Sequence, residues 1–142
     1  CTIFIDGAHN PDGMAVLAST VDALASELTG GRPTLLLGVM RDKQVGDMLH
    51  ALASSERLRA ADCITTVVPD TDRALPAAEL ATEWADVSGR EAVAVADVDA
   101  ALVRALDAAA NAGGLLINAG SLYLVGHLRC SLVPGPISDS DA

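Results

Sequence analysis

Short runs of β-branched and leucine residues alternate along this chain with longer segments whose apolar residues recur every three or four positions. The first pattern predicts buried strands, and the second predicts helices that pack one face on a sheet. Regular alternation of the two is typical of an α/β domain with a mainly parallel sheet, because parallel strands need long crossover connections. The predicted strands cover residues 2–6, 34–39, 63–68, 92–95 and 115–119.

Helices are predicted between these strands and after the last one, and they cover residues 11–28, 45–54, 76–86, 98–111 and 121–128. Asp97 or Asp99 can serve as the N-cap of the fourth helix. Helices on both faces of about five to six strands predict a Rossmann-like three-layer domain spanning residues 1–133. Residues 134–142 combine chain breakers with charge and predict a flexible C-terminal tail.

Composition and charge limit the classes of partner. The chain has 142 residues, of which 51% are hydrophobic and 2% aromatic, with a formal net charge of −10. One domain with an aliphatic core is expected. An acidic chain with few aromatic side chains offers neither a basic surface nor stacking platforms, which argues against a nucleic-acid partner. No apolar run approaches the ~20 residues that span a bilayer, so we expect a cytoplasmic protein without membrane contact.

The cysteines do not form a recognisable site. Cys1, Cys63 and Cys130 are odd in number, far apart, and include no CxxC pair, so the sequence predicts neither a disulfide framework nor a metal site. The chain also opens without a methionine, directly in a strand-like run. We therefore expect that it is a piece of a longer protein that extends upstream.

Ligands of open α/β sheets collect beyond the carboxyl ends of the strands, so the residues that follow each strand are candidates. Residues 6–11, with the sequence DGAHNP, follow the first strand. Asp6, His9 and Asn10 are thereby gathered beside a helix N-terminus, whose free N–H groups attract anions. The alternative is that Asp6 and Asn10 only cap the helix and that His9 is a solvated loop residue.

Two further loops follow strands in the same way. Residues 38–44 contain Lys43, the only lysine beside eight arginines, whose compact ammonium could bind a carboxylate. In residues 118–126, Ser121 offers a hydroxyl and backbone N–H groups to an anion. A solvated loop and simple N-capping are the respective alternatives. The sequence contains no GxSxG, GxxxxGK[ST] or GxGxxG motif, and His50 and His127 fall within predicted helices, where we expect structural roles.

In order and spacing, these loops resemble the C-terminal domain of the folylpolyglutamate synthase/dihydrofolate synthase family of the Mur ligase superfamily. That family carries DGAHNP after the first strand, a glycine shortly before DKD after the second, and GSLYLVG near the end. The matches here are residues 6–11, Gly38 with residues 42–43, and residues 120–126. Residues 73–75 also resemble the family's stretch after the third strand. Gln44 departs from the pattern, because it replaces the second Asp of DKD.

The resemblance implies an ATP-dependent ligase that uses Mg²⁺ and joins L-glutamate to a folate or dihydropteroate through an acyl phosphate. It implies that Asp6 contacts the nucleotide at its ribose, with Asn10 in the same loop, and that His9, Lys43 and Ser121 contact glutamate. No catalytic residue and no metal ligand are assigned within this chain.

The phosphate-binding loop, the magnesium ligands and the folate pocket belong to that family's N-terminal ATPase domain, which is absent from these 142 residues. The chain alone is therefore predicted to be inactive. The alternatives are the C-terminal domain of a Mur peptidoglycan ligase and a non-catalytic binding module of the same fold.

Overall fold

The computed structural model describes residues 2–25, 32–42, 44–69 and 71–132, which form five strands and six helices. Each strand is followed by one helix, except that two helices follow the second strand. The strands are β1 (Thr2–Ile5), β2 (Thr34–Leu37), β3 (Asp62–Thr65), β4 (Val93–Ala94) and β5 (Leu115–Ala119). The helices are α1 (Pro11–Ala25), α2 (Val45–Leu52), α3 (Glu56–Arg59), α4 (Ala77–Ser88), α5 (Val98–Ala112) and α6 (Leu122–Leu132).

The strands form one sheet in the order β1-β5-β2-β3-β4, and every pair of neighbouring strands is parallel. The last strand, β5, therefore returns to lie between β1 and β2. The four residues of β2 are all buried, as is typical of a strand in a parallel sheet that is covered on both faces. The predicted parallel α/β architecture is confirmed.

The two faces of the sheet carry separate cores. One core joins the sheet to α1, α2, α3 and α4, and its largest members include Trp84, Met14 and Leu17, each fully buried. The other joins the sheet to α5 and α6 through residues such as Leu116 and Leu124. The fold therefore has three layers, as predicted. None of the described helices is long and apolar enough to cross a bilayer.

The second and third strands are shorter at their carboxyl ends than predicted. Val39 is buried, yet it has left the sheet, because its carbonyl accepts a hydrogen bond from Leu75 N (3.0 Å) in the segment before α4. Val68 is likewise buried beyond the end of β3. Apolar character therefore predicted strand where the chain forms buried loop, since burial alone does not specify strand pairing.

Helix boundaries also differ. The sequence did not predict α3, a single turn capped by the Ser55 hydroxyl, which accepts a hydrogen bond from Leu58 N (3.2 Å). Helix α2 ends at Leu52 rather than residue 54, α4 continues to Ser88, and α6 continues to Leu132. Of the predicted first helix, residues 26–28 lie outside the described residues, as do Lys43 and the predicted tail, 134–142.

Two aspartates at the start of α5 have different roles. Asp97 is the N-cap, because its Oδ2 accepts a hydrogen bond from Ala100 N (2.9 Å). Asp99 instead contacts His127 on α6, with 2.8 Å between Oδ1 and Nε2. His127 therefore links the two helices on one face of the sheet, in agreement with the structural role predicted for it.

Replacing the α5 cap is expected to lower stability. Asp97→Ala should reduce the free energy of unfolding by about 1 kcal/mol, because the first turn loses the acceptor of one backbone N–H. Urea denaturation monitored by circular dichroism measures the change. Asp107→Ala, an exposed carboxylate on the same helix, is the matched control and should not lower the midpoint, because alanine favours the helix more than aspartate does. Equal midpoints for the two variants would contradict the capping role.

Candidate functional site

The order of the strands creates a crevice at the carboxyl edge of the sheet. Helices α1 and α2 follow β1 and β2 onto one face, whereas α6 follows β5 onto the other. Because β5 lies between β1 and β2, the chain leaves neighbouring strands in opposite directions. Such a switch point is where open α/β sheets bind ligands. The three loops predicted from the sequence to carry the site start here.

Backbone hydrogen bonds join the loop after β1 to the loop after β5. Gly120 N donates to Ala8 O (2.9 Å), and Asp6 N donates to Asn118 O (3.1 Å). Gly120 has a φ of +121°, and a Cβ atom there would lie 2.2 Å from the carbonyl oxygen of Gly38 at the end of β2. Glycine is therefore required at this position by both its backbone conformation and the close packing.

The loop after β2 is joined to the segment before α4. Arg41 N donates to Arg73 O (2.6 Å), and Met40 forms an isolated antiparallel bridge with Ala74. The Arg41 guanidinium also lies 3.6 Å from the Glu79 carboxylate, but both side chains are largely exposed, so this ion pair contributes little stability. Because of these contacts, Arg73 lies at the same edge of the sheet as the three loops.

A cleft of about 260 Å³ lies where these segments meet. Drug-sized ligands occupy pockets of roughly 300–1,000 Å³, so a cleft of this volume suits a smaller molecule such as an amino acid. It is lined by two of the predicted site residues together with residues that were not predicted, namely His9, Met40, Asp42, Met48, Arg73, Gly120 and Ser121.

His9 is exposed at the cleft, and its ring is oriented by its own loop. Its Nδ1 lies 2.7 Å from Gly7 O. A carbonyl oxygen can only accept a hydrogen bond, so Nδ1 carries the hydrogen. The remaining ring nitrogen, Nε2, is then an acceptor in neutral histidine and a donor when the ring is protonated.

Ser121 is almost completely buried, with 2% exposure, and it immediately precedes the first residue of α6. Its carbonyl accepts a hydrogen bond from Val125 N (3.1 Å), which begins the helical ladder. The residue therefore stands at the N-terminus of an 11-residue helix. The free N–H groups and dipole of such a terminus favour negative charge in the adjacent cleft.

Asp6 and Asn10 are not among the residues that line the cleft. Asp6 Oδ1 accepts a hydrogen bond from Ala8 N (2.7 Å), which fixes the turn after β1. Asn10 caps α1, because its Oδ1 accepts a hydrogen bond from Gly13 N (2.7 Å). Both side chains thus shape the loop, as the capping alternative predicted for Asn10, and their contact with a nucleotide stays a prediction.

Lys43 lies outside the described residues, so its predicted place in the site stays a prediction. Its neighbour Asp42 lines the cleft, and the Asp42 Oδ1 accepts a hydrogen bond from Gln44 N (2.8 Å). This bond orients the Asp42 carboxylate at the start of α2.

Asp42 and Arg73 were not assigned to the site from the sequence. Arg73 lies eight positions after the last residue of β3, beyond the range in which a residue is read as following a strand. The signal that could have identified it was the family resemblance of residues 73–75. Asp42 belongs to one of the matched family motifs, in which only its neighbour Lys43 is predicted to contact glutamate.

The described residues provide no group of side chains for a metal ion, and the Cys63 thiol among them is not reactive. No group of three or more His, Cys, Asp or Glu side chains among the described residues could hold a metal ion. Cys63 is buried in the first core, and burial raises the pKa of its thiol well above the usual range. It is therefore inert, because thiolate is the reactive form.

The chain belongs to the family of Mur ligase glutamate ligase domains, whose family model matches residues 1–122. The curated relatives that it matches are named as a folylpolyglutamate synthase and as probable bifunctional folylpolyglutamate synthase/dihydropteroate synthases. The folylpolyglutamate synthase of Lacticaseibacillus casei is 34% identical over an alignment of 139 residues, and the match covers 94% of this chain and 27% of the relative.

Solved structures agree with this assignment. A Mycobacterium tuberculosis folylpolyglutamate synthase complexed with ADP and AMPPCP matches with a TM-score of 0.75 and 27% identity, covering 94% of this chain and 30% of that one. A bifunctional folylpolyglutamate synthase/dihydrofolate synthase with Mn, AMPPNP and L-glutamate bound matches with a TM-score of 0.64 and 25% identity, covering 89% and 28%.

This chain spans between 14% and 27% of the lengths of the curated relatives that it matches. The resemblance predicted from the loop motifs is confirmed. The chain corresponds to the C-terminal domain of folylpolyglutamate synthase-type ligases, and these relatives favour the folate branch of the superfamily over the peptidoglycan branch.

The packing at Gly120 predicts a large effect of adding one methyl group. Gly120→Ala should cost at least about 1–3 kcal/mol in the free energy of unfolding, from backbone strain and from the clash with Gly38 O. Gly46→Ala is the control, because Gly46 lies inside α2 with no atom near the added Cβ. That substitution should be neutral or stabilise by up to about 1 kcal/mol. Thermal unfolding compares the two, and an unaffected Gly120→Ala variant would contradict the packing.

Proposed function

We propose that this chain forms the glutamate-binding and nucleotide-facing part of an ATP-dependent ligase that joins L-glutamate to a folate or dihydropteroate. The observation that carries the proposal is the cleft at the switch point, which combines His9, Arg73 and Ser121 in a volume that suits an amino acid. The bound L-glutamate named for one structural relative supports the same ligand class.

The charges of the cleft suit an anionic amino acid. In a protein with a net charge of −10, an anion needs a local source of positive potential. The guanidinium of Arg73 supplies one and can bind a carboxylate through two parallel hydrogen bonds. The N-terminus of α6 at Ser121 supplies another. His9 adds a ring nitrogen, and Lys43 is proposed to contribute its ammonium to a glutamate carboxylate.

The nucleotide is proposed to lie beside the cleft, at the loop after β1. Asp6 and Asn10 both belong to this loop and stand next to the N-terminus of α1. The Asp6 carboxylate suits the hydroxyl groups of a ribose, which donate hydrogen bonds. The ADP and AMPPCP named for the mycobacterial relative support a nucleotide in proteins of this fold.

In the proposed reaction, the folate carboxylate attacks the γ-phosphorus of ATP, which yields an acyl phosphate and ADP. The amine of glutamate then attacks the acyl carbon and displaces phosphate. The residues of this chain bind and orient glutamate for that attack, which lowers the entropic cost of joining two substrates.

The divalent metal is proposed to be Mg²⁺, bound mainly in an N-terminal ATPase domain of the full-length protein, as the family resemblance implies. The Mn named for one structural relative supports a divalent ion in such enzymes. We propose that the full-length protein works in the cytoplasm, where its substrate ATP is present.

Removing the polar groups of the cleft should weaken glutamate binding in the full-length protein. His9→Ala and Ser121→Ala are each expected to raise the KM for glutamate by about 10-fold or more, as loss of a hydrogen bond to a charged ligand does. The KM for ATP should stay within about twofold. Incorporation of radiolabelled glutamate into tetrahydrofolate or dihydropteroate measures both constants.

The control for these variants is His50→Ala, which removes an exposed imidazole from α2 outside the cleft and should leave both constants unchanged. An unchanged KM for glutamate in both His9→Ala and Ser121→Ala would falsify the assignment. Preference of the wild-type protein for a UDP-muramyl substrate over the folates would reject the folate branch instead.

The isolated 142-residue chain should not turn over. It contains no GxxxxGK[ST] loop for the phosphates of ATP, so ADP release in the presence of ATP, glutamate and tetrahydrofolate should stay at background. A coupled ADP assay on purified chain measures this, with the full-length protein as the positive control. Sustained turnover by the chain, free of contaminating synthase, would show that its own residues suffice.

A further inference from the structure

An acidic side chain lies in a cleft that is proposed to bind a dicarboxylate. Asp42 is the one acid among the described residues that line the cleft, and it is exposed there. Its carboxylate repels both carboxylates of glutamate, so it is unfavourable unless it meets the single positive group of that ligand. That group is the α-ammonium.

The surrounding backbone orients the Asp42 carboxylate. Asp42 Oδ1 accepts a hydrogen bond from Gln44 N (2.8 Å), which fixes the side chain against the start of α2. The preceding residue, Arg41, donates its backbone N–H to Arg73 O (2.6 Å). This hydrogen bond joins the segments that carry the negative side chain of Asp42 and the positive side chain of Arg73. Asp42 follows the donor residue, and Arg73 is the acceptor residue.

We infer that Asp42 binds the α-ammonium of the incoming amino acid while Arg73 binds a carboxylate of the same molecule. This inference rests on the proposed function and adds the group that recognises the amine. Hydrogen bonds between ammonium and carboxylate are short and strong, and they are directional enough to aim the nitrogen. The cleft thereby selects an amino acid over a dicarboxylate that lacks the amine.

The competing explanation is that Asp42 only supports the start of α2 through its bond to Gln44 N. Asp42→Asn separates the two explanations, because the asparagine Oδ1 can still accept that hydrogen bond while the negative charge is lost. Asp42→Ala removes both the charge and the hydrogen bond. Asp47→Asn removes one exposed carboxylate from the first turn of α2 outside the cleft and is the matched control.

The experiment uses the full-length protein with ATP and tetrahydrofolate or dihydropteroate. It measures the KM for glutamate and the inhibition constant of glutarate, which has both carboxylates of glutamate but no amine. Asp42→Asn should raise the KM for glutamate by about 10-fold or more. The inhibition constant of glutarate should not rise and should fall if the repulsion is relieved. Asp47→Asn should change neither constant.

Three results would overturn the inference while the proposed function stands. An unchanged KM in Asp42→Asn would show that the charge is not used. A raised KM for glutamate in Asp42→Ala alone would show that Asp42 only supports the start of α2. Equal weakening of glutamate and glutarate in Asp42→Asn would show a general disturbance of the cleft. A wild-type protein that ligates no glutamate to either folate substrate would instead overturn the proposed function, and the inference with it.

Discussion

The close packing of Gly120 against Gly38 is the constraint on which the rest of the site depends. At this point β5 passes between β1 and β2, and the backbone of Gly120 approaches the carbonyl of Gly38 so closely that a Cβ atom would lie 2.2 Å from it. The same glycine donates its N–H to Ala8 O, so one residue joins the loops after three strands. His9 and Ser121, which belong to two of these loops, thereby line the same cleft.

A second set of contacts determines the charge of the cleft. The bridge between Met40 and Ala74, with the hydrogen bond from Arg41 N to Arg73 O, places the basic side chain of Arg73 and the acidic side chain of Asp42 at the cleft that His9 and Ser121 also line. Backbone pairing holds the two segments together. The exposed Arg41 and Glu79 side chains contribute little, since solvent screens their attraction.

Much of the fold follows from local sequence. The strand TLLL, buried throughout, and the periodicity of the predicted helices 11–28 and 98–111 were recognisable because burial on a sheet imposes a regular pattern. The ends of the strands were less predictable. Val39 and Val68 are as apolar as strand residues, and only their pairing partners distinguish buried loop from strand. The single turn α3 was missed because four residues carry too little periodicity.

The sequence by itself determined the class of domain, the three loops and the family, because short motifs such as DGAHNP and GSLYLVG keep the residue types that the chemistry requires. It also marked His9 and Ser121 as site residues. Only the tertiary structure decided that Arg73 and Asp42 line the same cleft. The side chains of Asp6 and Asn10 instead form hydrogen bonds within their own loop. The reason is physical: strand order and backbone pairing across some 30 residues place side chains together, and no local pattern encodes either.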